Sequence, residues 1–243
     1  MPITAFKPSV HGFKFKNSFS SEDIMEELYS VPSWMMWDNT WGLCGGMCFA
    51  ALDRYFRQEP IPEQTNPPNR GDALFSELVK RLVDSIDSIG VNRIIDYQTR
   101  SDEEHWYELR DSLGYLSQSR QWPSIRDKID AGIPTTLCLI RAGRANPNIG
   151  GNHQVVVYGY STIGDKVTLN IYDPNQPGSG ANDVVVTFIF GQEHNRLSAK
   201  QEPGSDPRGF IRVSYDRTER LILPAAAAVF EEEDLAWLWT AIS

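Results

Sequence analysis

Cysteine is scarce in this sequence: Cys44, Cys48 and Cys138 are the only three in 243 residues. An odd, sparse set does not make a disulfide framework and fits a reducing compartment. Basic side chains are also in deficit, 23 Lys and Arg against 32 Asp and Glu, for a formal charge of −9. Phosphate backbones and anionic lipid surfaces are held by clustered Lys and Arg, so neither nucleic acid nor a membrane is an expected partner. No run of about 18 apolar residues occurs, as a spanning helix would require. The opening stretch "MPITAFKPSVHGFKFKNSF" has basic residues but no apolar h-region of a secretory signal. The expected location is cytoplasmic, with secretion by a signal-independent route as the other option. Internal repeats and low-complexity tracts are lacking, and no Cys and His set has zinc-ligand spacing. No metal or organic cofactor is implied.

What is present is a large apolar fraction, 41% hydrophobic with 11% aromatic, enough for a sizeable core. Residues 1–40 read as an irregular, aromatic-rich arm with one short helix, "SSEDIMEELYS", capped by Ser20 or Ser21. A helix is expected from Gly45 to Phe56. "ALFSELVKRLVDSIDSIG" places Leu74, Leu78, Leu82 and Ile86 at helical spacing and stops at Gly90. "SDEEHWYELRDSLGYL" reads as a helix capped by Ser101. "WPSIRDKIDAG" reads as a short helix with Pro123 in its first turn and Gly132 ending it. After about residue 120 the texture turns to strands: "IPTTLCLIRA", "HQVVVYGYST", "KVTLNIYDP", "DVVVTFIF", "FIRVSY" and "RLILP". Helices first and antiparallel strands second is the α+β pattern. The expectation is a single domain of two lobes, helical over 41–120 and β-rich over 121–224, with a C-terminal helix over 225–243.

The densest chemistry lies in "WGLCGGMCFAALDRY". A helix starting at or just after Cys44 points unpaired N–H groups and a positive dipole end at the thiol. Both favour thiolate, the recipe for a reactive cysteine. Gly45 and Gly46 weaken a helix, by up to about 1 kcal/mol each, and would clear the approach to the sulfur. Cys48 lies one turn further along the same face and reads as a buried small hydrophobe. Three other readings stay open: a metal pair, a redox pair spaced C-x3-C, or two plain core residues.

Acyl chemistry by a thiolate needs a proton shuttle. His11 sits in the arm, His105 on a charged helix and His194 in a surface loop. His153 differs, because it follows the flexible "NPNIGGN" and opens an apolar strand. Asp173 ends the next strand, 20 residues on. If those strands pair as an antiparallel hairpin, the carboxylate can reach one imidazole nitrogen and leave the other for Cys44. Asn175 is the substitute orienter should Asp173 serve only the turn before Pro174. Trp34, Trp37 and Trp41 either line a cleft or pack the arm onto the body.

Taken in order, "LCGGMCFAALDRY", "HQVVVYGY" and "YDP" resemble the papain-like cysteine peptidases, nearest the bacterial branch of bacteriocin leader-processing peptidases. "SIRDKIDAGIPTTLCLI" matches that branch's helix, Gly-x-Pro and strand ahead of the His. The resemblance covers about residues 40–175. It implies Cys44 as nucleophile, His153 as general base and then acid, and Asp173 orienting His153. The family's oxyanion Gln falls about six residues before the Cys, where this chain has Asp38. Asn39, one residue closer, is the amide candidate, beside the Cys44 backbone N–H. The implied function is a thiol hydrolase acting on a peptide or protein substrate. An acyltransferase or deamidase on the same scaffold, and a non-catalytic binding protein marked by Asp38, are the alternatives.

Overall fold

In the computed structural model the described residues are 1–28, 42–102, 110–145, 149–177, 184–189, 198–199 and 206–215. Asp38, Asn39, Trp34, Trp37, Trp41, His105, His194, the strand "RLILP" and the helix expected over 225–243 lie outside them.

The helices come first. They are α1 (Pro8–His11), α2 (Ser21–Leu28), α3 (Cys44–Arg57), α4 (Ala73–Ile89), α5 (Val91–Thr99), α6 (Leu113–Tyr115) and α7 (Trp122–Asp130). Ser20 caps α2 through its hydroxyl, which accepts from the Asp23 N–H at 3.4 Å. The α4 stripe is as expected in kind: Leu78 and Leu82 are buried, with Leu74 and Ile86 packed partly over the same core. Gly90 stops α4 at φ 83°, a conformation that favours glycine. It also turns the chain straight into α5, which the sequence pattern did not announce. A π-helical segment, Leu116–Gln121, joins α6 to α7. The helical path therefore runs unbroken across residue 120, where the β-rich lobe was expected to begin. Ser112 caps α6, its hydroxyl accepting from the Tyr115 N–H at 3.1 Å; most of the helix expected behind Ser101 lies outside the described residues.

The strands β1 (Thr135–Ile140), β2 (His153–Ile163), β3 (Lys166–Tyr172), β4 (Val185–Ile189), β5 (Ser198–Ala199) and β6 (Gly209–Val213) form one sheet. Its order is β5-β4-β3-β2-β1-β6, and every pairing is antiparallel. The chain is thus α+β. The central strands are buried on both faces, unlike a one-sided antiparallel sheet. Cys138, Ile140, Val156 and Tyr158 join the core built with α3, α4 and α5. Leu137, Leu139, Val155 and Val157 face a second core with Trp122, Ile125 and Ile129 of α7. Alternation along each strand feeds both cores.

The arm is not irregular padding. Phe6, Phe13 and Phe15 are buried in the α3–α4 core, each contributing roughly 1.5–3 kcal/mol on burial. Pro2–Thr4 runs beside β2 where β1 has ended. Thr4 N–H donates to Tyr158 O at 2.8 Å and Tyr160 N–H to Pro2 O at 3.0 Å. The place is free because β1 begins at Thr135, opposite Val157, and Ile3 pairs with Gly159 just beyond it.

A buried ion cluster ties the helices together. Arg81 of α4 is 1% exposed and meets Asp53 of α3 at 2.8 Å and Asp84 at 2.6 Å. The Tyr215 hydroxyl donates to Asp53 at 2.6 Å, and the Arg81 guanidinium lies over the Phe49 ring at 5.0 Å.

Candidate functional site

Helix α3 begins at Cys44, one residue ahead of the expected Gly45, with Leu43 as its N-cap. Ala50, Ala51 and Leu52 propagate it, since none is β-branched. The two glycines do something other than clear the sulfur. A Cβ on Gly46 would lie 2.0 Å from the Leu78 carbonyl oxygen of α4. One on Gly45 would lie 2.3 Å from the Ser85 hydroxyl and 2.6 Å from the Gln154 amide nitrogen. Both glycines are buried, and both exist so that α3 can press against α4 and β2. That corrects the reading from sequence: the open side of Cys44 belongs to the cavity in front of it.

Pairing brings the remaining parts together. In the β1–β2 register Cys138 faces Gln154 and Leu139 faces His153. In the β2–β3 register Val156 faces Tyr172, so the start of β2 lies beside the residue that follows β3. That residue is Asp173. Its Oδ1 sits 2.6 Å from His153 Nε2, with both side chains almost wholly buried. With Nε2 engaged, Nδ1 is the nitrogen left for Cys44, whose thiol shares a hydrogen bond with His153. The Gln154 backbone N–H also donates to Cys44 Sγ, at 3.4 Å.

The electrostatics come from these contacts. Burial alone would raise the Cys44 thiol, but the hydrogen bond and charge of His153 outweigh it, helped by the N–H groups of Gln154 and Gly45. The net direction is down. Burial would lower His153, yet the Asp173 carboxylate and the Cys44 sulfur hold it up, at about 9. Burial would likewise raise Asp173. The charge and hydrogen bond of His153, the Asn175 N–H and the Arg141 charge bring it down instead. A thiolate beside an imidazolium is the state these shifts favour. Cys48 goes the other way: burial pushes its thiol well above the ordinary value. Cys138, buried in β1, is pushed far up for the same reason. All three thiols are unbridged. Among the described residues no three His, Cys, Asp or Glu side chains group as a metal cage needs.

Asn175 supports Asp173 rather than replacing it beside His153. Its N–H donates to Asp173 Oδ1 at 2.8 Å, so Asp173 accepts this bond and also engages His153. His11 is far from this chemistry in kind: it packs on Phe6 and Tyr55, and its Nδ1 accepts the Lys7 N–H.

Cys44 and His153 open into a cavity of about 410 Å³. Leu82, Ile86, Ile94 and Ile149 give it an apolar wall, while Asn17, Arg141 and Asn152 give it a polar one. Sequence reasoning missed Asn17, Arg141 and Gln154. Gln154 had a signal, since it adjoins the expected base. Asn17 and Arg141 had none, because each arrives through the path of the folded chain.

No protein-family model, curated protein or solved structure matches the chain.

Proposed function

We propose that the chain is a papain-like thiol hydrolase that cleaves an amide or peptide bond through an acyl-enzyme. The observation that carries this reading is the line from half-buried Cys44 through buried His153 to buried Asp173, opening into one cavity, with His153 Nε2 2.6 Å from Asp173 Oδ1. A carboxylate that fixes the imidazole and a thiol whose proton is easily lost are the parts a covalent acyl transfer needs.

The Cys44 thiolate attacks the carbonyl carbon, a C–S bond forms, and the carbonyl electron pair moves to oxygen. As that pair returns, the C–N bond breaks and the His153 imidazolium gives its proton to the departing amine. Neutral His153 then takes a proton from water. The resulting hydroxide adds to the thioester, the C–S bond breaks, and a carboxylic acid leaves with the thiolate restored. Asp173 stays ionised throughout and steadies the imidazolium.

Iodoacetamide at pH 6–7 tests the nucleophile, and nitrophenolate release from 4-nitrophenyl acetate tests acylation. Rapid labelling of one thiol per chain is expected, abolished by Cys44→Ala and kept by Cys48→Ala. A burst of one nitrophenolate per chain should accompany it. Labelling no faster than that of an ordinary thiol, or its survival in Cys44→Ala, would refute the assignment.

A further inference from the structure

Attack on a carbonyl leaves negative charge on its oxygen, and catalysis needs N–H donors waiting about 2.7–3.1 Å from where that charge appears. The Cys44 backbone N–H is one, since the first N–H groups of a helix have no intrahelical acceptor. An acyl-enzyme route requires a second donor. We propose that Asn17 supplies it, through the Nδ2 proton that does not go to Asn175; the assignment rests on Cys44 being acylated.

Asn17 lies 27 residues before the nucleophile in sequence, but it lines the same cavity as Cys44 and His153. Three hydrogen bonds fix it. Its backbone N–H donates to Pro174 O at 2.9 Å. Its Oδ1 accepts the Leu43 N–H at 2.7 Å, and its Nδ2 donates to Asn175 Oδ1 at 3.0 Å. The Leu43 N–H can only donate, so it dictates which end of the amide is oxygen. The amide cannot be turned over without setting an NH₂ group against an N–H. One side chain thus bridges the N-cap of the nucleophile's helix and the loop that carries Asp173.

Nδ2 carries two protons, and among the described residues one of them is used. Gly42 shows how closely the amide lies against the chain leading to Cys44. A Cβ there would come 2.4 Å from Nδ2 and 2.9 Å from Oδ1. Any larger residue would push the amide off the segment two positions before the nucleophile. A donor held this firmly needs no reorganisation when the charge develops, which is the condition for strong electrostatic catalysis.

Two rates measured on the same protein separate this role from a merely structural one. Acylation by 4-nitrophenyl acetate develops an oxyanion. Alkylation by iodoacetamide, a displacement at saturated carbon, does not. The ratio of burst rate to alkylation rate at one pH therefore cancels any change in the thiolate population. In Asn17→Ala that ratio should fall about 10²–10³-fold, the usual loss for one oxyanion donor. Asn17→Asp keeps an oxygen for the Leu43 N–H and removes the donor, so its ratio should fall at least as far. Should Asn17→Ala fail to fold, Asn17→Asp decides. An unchanged ratio overturns the proposal, whether both rates drop together, as for a clamp that only holds α3, or neither drops. A wild-type chain with no burst at all overturns the acyl-enzyme reading, and this proposal with it. A normal burst in both wild type and variants overturns the Asn17 assignment alone.

Discussion

Asp173→Asn isolates the charge of the carboxylate from its geometry. The amide oxygen of Asn can still accept from His153 Nε2–H and from the Asn175 N–H, the two bonds that Asp173 Oδ1 now makes at 2.6 and 2.8 Å. What disappears is the negative charge that, against burial, holds His153 up at about 9. Without it, the Cys44 sulfur and the retained hydrogen bond still oppose burial, and the imidazole falls from about 9 toward its ordinary 6.5. A fall over that whole interval is about 2.5 pKa units, or roughly 3 kcal/mol at about 1.36 kcal/mol per unit. Cys44 responds in turn, because the His153 hydrogen bond and charge are what offset its own burial. As that support weakens, the thiol moves back up and a smaller share of it is thiolate at pH 6. The iodoacetamide rate at pH 6 should therefore fall, about tenfold for each unit the thiol rises, and the acid limb of its pH profile should move up toward that of an ordinary thiol. Circular dichroism should show the fold intact. An acid limb that stays where it is in Asp173→Asn would refute the reasoning, because the carboxylate would then not be what sustains the ion pair.

Gly46→Ala places a Cβ 2.0 Å from a backbone oxygen of α4 that cannot swing aside. A loss of at least about 1–3 kcal/mol is expected in urea unfolding, and a change within about 0.5 kcal/mol would mean that α3 and α4 lie further apart. Arg81→Met leaves Asp53 and Asp84 buried without their cation. It should cost about 3–5 kcal/mol, the usual result of removing one partner of a buried ion pair, and a neutral result by thermal or urea unfolding would count against the cluster. His153 is held above its unfolded value, so its stabilisation is full below about 6.5 and is lost as pH rises through about 9. The gap in unfolding free energy between wild type and His153→Gln should accordingly narrow from pH 6 to pH 10, and a widening gap would reverse the sign assigned here.

The parts of the fold legible in sequence were those whose signal is local. The helix expected from Gly45 to Phe56, observed over Cys44–Arg57, could be read because its apolar and small residues carry a helical pattern through one unbroken stretch. The His153 and Asp173 pairing could be read because a hairpin brings the first residue of one strand to the last of the next, whatever surrounds it. Other features depended on neighbours far along the chain. Gly45 and Gly46 looked like an open approach to sulfur, and only Leu78, Ser85 and Gln154 show that they are packing glycines. Phe6, Phe13 and Phe15 have no periodicity that marks them as core, yet α3 and α4 close over them. Gly90 was legible as a stop but not as a corner, since its positive φ ends α4 and starts α5 in the same residue. Asn17 and Arg141 enter the cavity by long-range contact, for which no spacing rule exists.

The donors that govern the site are largely backbone groups, which ties its chemistry to strand register. The N–H of Gln154 reaches the Cys44 sulfur because Gln154 lies opposite Cys138, and His153 is presented because it lies opposite Leu139. The Asn175 N–H reaches Asp173 through the turn that Gln176 closes on the Asp173 carbonyl at 2.9 Å. A slip of β2 by one residue would exchange the two cores' side chains and, in the same step, take His153 from the carboxylate and Gln154 from the sulfur. The apolar contacts that forbid such a slip, Leu137, Leu139, Val155 and Val157 on one face and Cys138, Ile140 and Val156 on the other, are therefore also what holds Cys44, His153 and Asp173 in contact. Burying a thiolate, an imidazolium and a carboxylate is costly unless each keeps its partner. Here the register of a doubly covered sheet keeps them together, so loosening the core by a volume-changing substitution in β1 or β2 acts on Cys44 as directly as a change beside it.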